Sequence, residues 1–220
     1  MKTPTCYFIA PLILSAILVG SCSRPIGDLP IHFGHDDLES SRSDKKLHIE
    51  FLGVGSFLIS YQNDAVLTDP FLSNPSTFKV LFGRIKPNEK RIDQYLPNVG
   101  NVRMTIVGHT HYDHILDLPY ISTKLRDDVL LCGNQTMVHT MAPAKPKQKL
   151  ISMNQIAGSA FNLGQWVYSA NNRVRVMAFL SEHPPHFGNI ILFKNPIYKD
   201  LKHVPAKTRK WKCGQTLSYL

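Results

Sequence analysis

"GHTHYDHILDLPYI", residues 108–121, sets three histidines and an aspartate within six positions and then turns apolar. In an extended segment, residues two apart point to the same side, so His109 and His111 present two imidazoles to one point. A turn beginning at Asp113 and His114 aims those two side chains at a neighbouring point about 3.5 Å away, the spacing of a two-metal site. Nitrogen and carboxylate donors suit zinc best, with iron or manganese as possible substitutes, and one or two ions are expected. The other histidines, among them His48, His139 and His203, carry no ligand spacing.

The flanking sequence gives the cluster a place in a fold. Before it, "VRMTIVGH" is a mostly apolar run closing on a glycine, which predicts a strand buried on both faces. After it, Asp117 is expected to cap a short helix with Pro119 in its first turn. "DVLLCGN" then reads as a strand and "QTMVHTMAP" as a helix, an order that predicts layered α/β structure. Upstream, "LHIEFLGVGSFLISYQNDAVLTDPF" alternates at 47–52, 56–61 and 65–68 with breaks at Gly53, Gly55 and "QND", describing two strands and a hairpin partner. Residues 71–101 form a loop-rich insertion of the kind often used as a lid or binding surface. Its apolar patch "FKVLFG" (78–83) reads as a buried core segment, with a lipid-facing entrance as the alternative. Downstream, "RVRVMAFLSEH", "NIILFK" and "CGQTLSYL" each predict a strand.

The cluster "HTHYDH" resembles the His-x-His-x-Asp-His motif of the metallo-β-lactamase superfamily. "LTDP" (67–70), after paired strands and "GVGS", resembles that family's first motif, and "SEH" (181–183) its third. Taken together they look nearest to the branch containing N-acyl-phosphatidylethanolamine phospholipase D and ascorbate-6-phosphate lactonase, over about residues 47–195. The resemblance implies an αββα sandwich in which His109, His111 and His183 hold one metal while Asp113 and His114 help hold a second. His186 competes with His183 for the third position; His183 is preferred because it ends a strand directly. Asp69 is expected to stand behind the ligands and steady the metal loop. The implied activity is metal-dependent hydrolysis, with activated water, oriented by Asp113 as the catalytic residue, attacking an ester or phosphodiester bond of a small-molecule or phospholipid-like substrate. The alternative is a non-catalytic metal-binding lipoprotein.

One element of that pattern has no counterpart. The family completes its second metal with a bridging aspartate and a last histidine on later strands, and neither Asp200 nor His203 sits in such a setting. The expectation is a C-terminally incomplete domain spanning 47–220, the N-terminal half and the start of the second, with impaired activity.

The N-terminus predicts location. "MKTPTCYFIAPLILSAILVGSC" places a lone Lys2 before an apolar run too short to span comfortably, so residues 1–21 read as a signal peptide. "LVGSC" resembles the lipobox of bacterial lipoproteins, with Cys22 as the lipidated first mature residue, here bearing an acyl group such as palmitate. Residues 22–46 then form a flexible tether, and the protein is expected at the bacterial cell envelope, lipid-anchored, with the outer membrane favoured. The net charge of +9 comes from basic residues spread through loops without interleaved aromatics, which predicts a solvated basic face and no nucleic-acid partner. Cys132 and Cys213, far apart and outside any Cys-x-x-Cys pattern, read as small apolar residues in strands.

Overall fold

The computed structural model describes residues 46–186 and 188–220. The signal peptide, the lipidation of Cys22 and all but the last residue of the tether therefore lie outside the described residues.

The alternation upstream of the histidines forms strands β1 (Leu47–Gly53), β2 (Ser56–Tyr61) and β3 (Asp64–Thr68), close to the bounds expected. They pair antiparallel, with Leu58 opposite Leu67, both buried. From β3 the sheet turns parallel through β4 (Val102–Ile106), β5 (Leu130–Gly133) and β6 (Lys149–Ser152), giving six strands in sequential order. The parallel steps need crossovers, and helices supply them. Between β3 and β4 run α1 (Thr77–Phe82) and α2 (Glu89–Tyr95). Between β4 and β5 lie α3 (Tyr112–Ile115) and α4 (Leu118–Ile121), and α5 (Gln135–Met141) connects β5 to β6.

Two apolar cores define the layers. On one face Leu58, Leu67 and Leu131 of the sheet pack with Ile92, Ile115, Ile121, Met137 and Trp211 from the helical side. On the other, Met104 and Cys132 meet Val176, Ala178 and Leu217, which belong to short strands. Those strands are β7 (Val167–Tyr168) with β8 (Arg175–Val176), and β9 (Ala178–Ser181) with β10 (Thr216–Tyr219), both pairs antiparallel. The α/β class is as expected, ordered as helices, main sheet and a second layer of strands. Along the outer edge, β1 turns Leu47, Ile49 and Phe51 to solvent.

Three sequence readings need correction. The run 173–181 is not one strand: at Met177 it changes partner, from β7 on one side to the chain end on the other. "NIILFK" forms no strand: a single bridge at Ile190 is flanked by turns, with Ile190 and Leu192 exposed. Its carbonyls are used singly, Phe193 O accepting from Cys213 N at 2.9 Å, so the apolar residues mark no ladder. "FKVLFG" is not core, because α1 buries none of its residues. The insertion is fixed instead by Phe71, Leu72, Ile85 and Ile92 around it, all buried. Of the two cysteines among the described residues, both buried and free, Cys132 lies in β5 and Cys213 just ahead of β10.

Candidate metal centre

The histidines sit where the carboxyl ends of strands converge, the usual place for a site in an α/β sheet. β4 ends at Ile106 and His109 follows within three residues; β3 ends one residue before Asp69; β9 ends two residues before His183. The turn after β4 is fixed on two sides. Gly108 N donates to Asp69 Oδ1 at 2.8 Å, while Gly108 O accepts from Leu217 N at 2.8 Å and Thr110 N donates to Cys213 O at 3.0 Å. Asn134 crosses the same turn: its Oδ1 accepts from Thr110 Oγ1 at 2.7 Å, and its Nδ2 donates to Cys213 O and Gln215 O at 2.9 and 2.7 Å. The bend that offers those carbonyls passes through Gly214 at φ +65°, where an added Cβ would lie 2.6 Å from Thr136 Oγ1.

Three imidazoles meet in this frame. His109 Nε2 lies 3.0 Å from His111 Nδ1 and 3.1 Å from His183 Nε2, and one ligand atom from each residue falls within 4.8 Å of the others. The outward nitrogens settle the tautomers. His111 Nε2 faces Leu192 O at 3.0 Å and His183 Nδ1 faces Pro184 O. A carbonyl only accepts, so those nitrogens carry the protons, leaving His111 Nδ1 and His183 Nε2 as lone pairs aimed inward. His109 Nε2 has at most one proton to satisfy two acceptors. Burial first, then the neighbouring imidazoles, pushes the His109 ring down to about 2. Burial likewise brings His111 to about 4 against the opposing charge of Asp113. Neutral imidazoles that converge with more lone pairs than protons between them are what a cation requires. A tetrahedral ion about 2.0–2.1 Å from each nitrogen places ligand atoms about 3.3–3.4 Å apart, close to the two short separations here. The donor set fits a metal.

His186 does not join this set. Its ring stacks on His183 at 4.7 Å and lies 5.6 Å from His111, on the outer side of the cluster. Asp113 and His114 occupy α3 directly beside it. His114 packs its ring 3.9 Å from that of His109 and brings Nδ1 to 3.3 Å from Asp69 Oδ2, off the axis of a hydrogen bond. Burial works to lower its pKa, but the Asp69 carboxylate outweighs it and the net direction is up. This close approach depends on Gly55 of "GVGS": a Cβ there would stand 3.1 Å from Asp69 Oδ2 and 3.3 Å from His114 Cε1. Asp113 Oδ2 is 4.0 Å from His114 Nε2. Among the described residues no further carboxylate joins these two to complete a second set. Asp200 instead accepts from His139 Nδ1 at 2.7 Å, and His203 is exposed.

Asp117 is the residue that sequence reasoning misplaced. It precedes α4 without capping it. Its fully buried carboxylate reaches back to the segment after Asp69, accepting from Leu72 N at 2.6 Å, Ser73 N at 2.7 Å and Ser73 Oγ at 2.5 Å. Burial pushes its pKa up against those three donors. A lone carboxylate inside "ILDLPYI" was the available signal, since an aspartate amid core residues needs buried donors.

A cleft of about 530 Å³ opens beside the histidines. His111, Tyr112, Asp113 and His186 line it together with Leu81, Phe82, Leu192 and Phe193, and with the basic Lys207 and Arg209.

No family model matches the chain, and no curated protein matches it. Among solved structures it is similar to Igni18, described as a novel metallo hydrolase from Ignicoccus hospitalis KIN4/I, at 14% identity and TM-score 0.40, over 73% of this chain and 53% of that one. It is similar to a possible metal-dependent hydrolase from Veillonella parvula DSM 2008 at 15% identity and TM-score 0.38, over 64% of this chain and 49% of that one. A third similarity is to CmlA, a diiron beta-hydroxylase from Streptomyces venezuelae, at 14% identity and TM-score 0.38, over 61% and 24% of the two chains. The chain thus spans about half the length of the first two.

Proposed function

We propose that this chain is a metal-dependent hydrolase of ester or phosphodiester bonds, with His109, His111 and His183 as the ligands of one cation, zinc by preference and iron or manganese as alternatives. The observation that carries the reading is the convergence of three inward nitrogens at the edge of a cleft that Asp113 also lines. A cation held there would acidify a water and polarise the scissile group. Asp113 orients that water and takes its proton at a carboxylate oxygen. Lys207 and Arg209 draw an anionic substrate into the cleft, and Leu81, Phe82, Leu192 and Phe193 exclude water around its apolar part. Asp69 acts on the ligands through Gly108 N and His114, holding the loop in register.

Asp113 and His114 lack a third partner among the described residues, which favours single occupancy and slow turnover. A missing preorganised charge typically costs roughly 10² to 10³ in rate. The decisive measurement is elemental analysis of untagged protein alongside hydrolysis of bis-p-nitrophenyl phosphate and a p-nitrophenyl ester. One equivalent of metal is expected, with slow turnover that Asp113→Ala lowers a further ~10²-fold or more. One bound equivalent and no turnover above free metal would favour the non-catalytic metal-binding reading.

Lipidation at Cys22 and an envelope location belong to the same proposal, motivated by "LVGSC". Cys22→Ala is expected to move the protein from the membrane fraction to the soluble one in membranes washed at ~1 M salt, which strips contacts held by charge; persistence there by a folded variant would refute lipid anchoring.

A further inference from the structure

Helix α1 leaves large apolar groups in water beside the cleft. Phe78, Leu81 and Phe82 are 73%, 66% and 77% exposed, and the two phenylalanine rings lie 5.6 Å apart. The helix is nonetheless held firmly in that position. Thr208 Oγ1 donates to Val80 O at 2.7 Å, and Ile85 N just beyond the helix donates to Ala206 O at 2.8 Å. An apolar surface fixed outward in this way marks a contact site.

The charges around it say what the contact is. On one flank a depression is lined by Lys79, Arg84 and Lys86; on the other the cleft is lined by Lys207 and Arg209. All five are exposed, and none forms an ion pair with a carboxylate among the described residues. Asp113 is the sole carboxylate lining either depression. Apolar side chains projecting from a ring of free cations match the chemistry of an anionic bilayer, with acyl chains below and headgroup phosphates at the rim.

We propose that α1 is a wedge that seats this chain on an anionic lipid surface, with Phe78, Leu81 and Phe82 entering the boundary between headgroups and acyl chains. No described helix is long and apolar enough to cross a membrane, so the contact is peripheral. Leu81 and Phe82 also line the cleft, so the same contact turns its mouth toward the bilayer. This surface is independent of any lipid at Cys22 and of whether the histidine site turns over substrate.

The test places a reporter on the helix itself, so that attachment through the N-terminal segment does not register. Full-length protein carrying Phe82→Trp is mixed with vesicles of brominated phosphatidylcholine, alone or with an equal part of brominated phosphatidylglycerol, and the emission of the wild type, from native Trp166 and Trp211, is subtracted throughout. On the anionic vesicles the introduced indole is expected to lose roughly half its emission. The loss should reverse as salt rises from ~0.1 M to ~1 M and the Debye length contracts from about 10 Å to about 3 Å. Adding Lys207→Glu and Arg209→Glu should abolish it. Phe161→Trp, at a position 93% exposed with no charged residue from 157 to 168, should stay bright. Three results would overturn the proposal: no quenching from Phe82→Trp, equal quenching from Phe161→Trp, or equal quenching on the purely zwitterionic vesicles. A blue-shifted difference spectrum before lipid is added would do the same, because a second copy of the chain would then cover the helix.

Discussion

His109→Ala is expected to abolish tight metal binding while leaving the chain folded. His109 is the hub of the cluster, the residue whose Nε2 lies within 3.1 Å of both other ligand nitrogens. Its removal leaves His111 and His183 without a common third donor. Structural zinc sites bind with about 10–16 kcal/mol over four ligands, so one imidazole carries roughly 3 kcal/mol, a loss of more than a hundredfold in affinity. Competition with a chromophoric chelator measures this directly. Retention of one equivalent at wild-type affinity would place the metal elsewhere. His186→Ala is the matched control: its ring stacks on the outside of His183, and its loss should change affinity less than tenfold.

The second large effect is on stability. Asp117→Ala is expected to cost about 3–5 kcal/mol, because it strands three donors in the interior. The two amides and the hydroxyl that now meet its carboxylate cannot reach water. Asp117→Asn should recover much of this, since its amide oxygen can accept from both backbone amides while its NH2 donates to the Ser73 hydroxyl, which accepts as well as donates. Urea denaturation gives the difference from the shift in midpoint at constant slope. A loss below about 1 kcal/mol for Asp117→Ala would show that the segment after Asp69 finds other acceptors. Because that segment continues directly from Asp69, metal affinity should fall with stability, by about 10- to 100-fold, as for other groups that position ligands.

These cases show what a linear reading reaches. Strands β1 to β3 were legible almost to the residue because their alternation faces two environments, and "HTHYDH" because its donors are near neighbours in sequence. The third imidazole was recoverable only through resemblance, since nothing local to "SEH" says where that strand will lie. Asp117 was misread because its position before a helix suggests a cap, whereas its partners Leu72 and Ser73 are remote in sequence. "NIILFK" and "FKVLFG" failed for a shared reason: composition reports what a side chain prefers, not whether another element arrives to cover it. In the first case no ladder forms; in the second the apolar groups stay outside.

The pairing of the histidine turn with β10 and the residues just before it has a consequence for how the molecule comes into being. Gly108, Thr110 and Val107 are tied respectively to Leu217, Cys213 and Tyr219, more than a hundred positions later. Closing so long a loop is slow, and contacts of that span form late in folding. During synthesis the histidines at 109 and 111 emerge roughly 5–20 s before the residues that brace them, at ordinary ribosomal speeds. In that interval the imidazoles are accessible but not yet aligned, and any ion they meet is exchangeable. Under the proposed function, commitment to a metal would therefore come only after β10 has docked, in whichever compartment that happens.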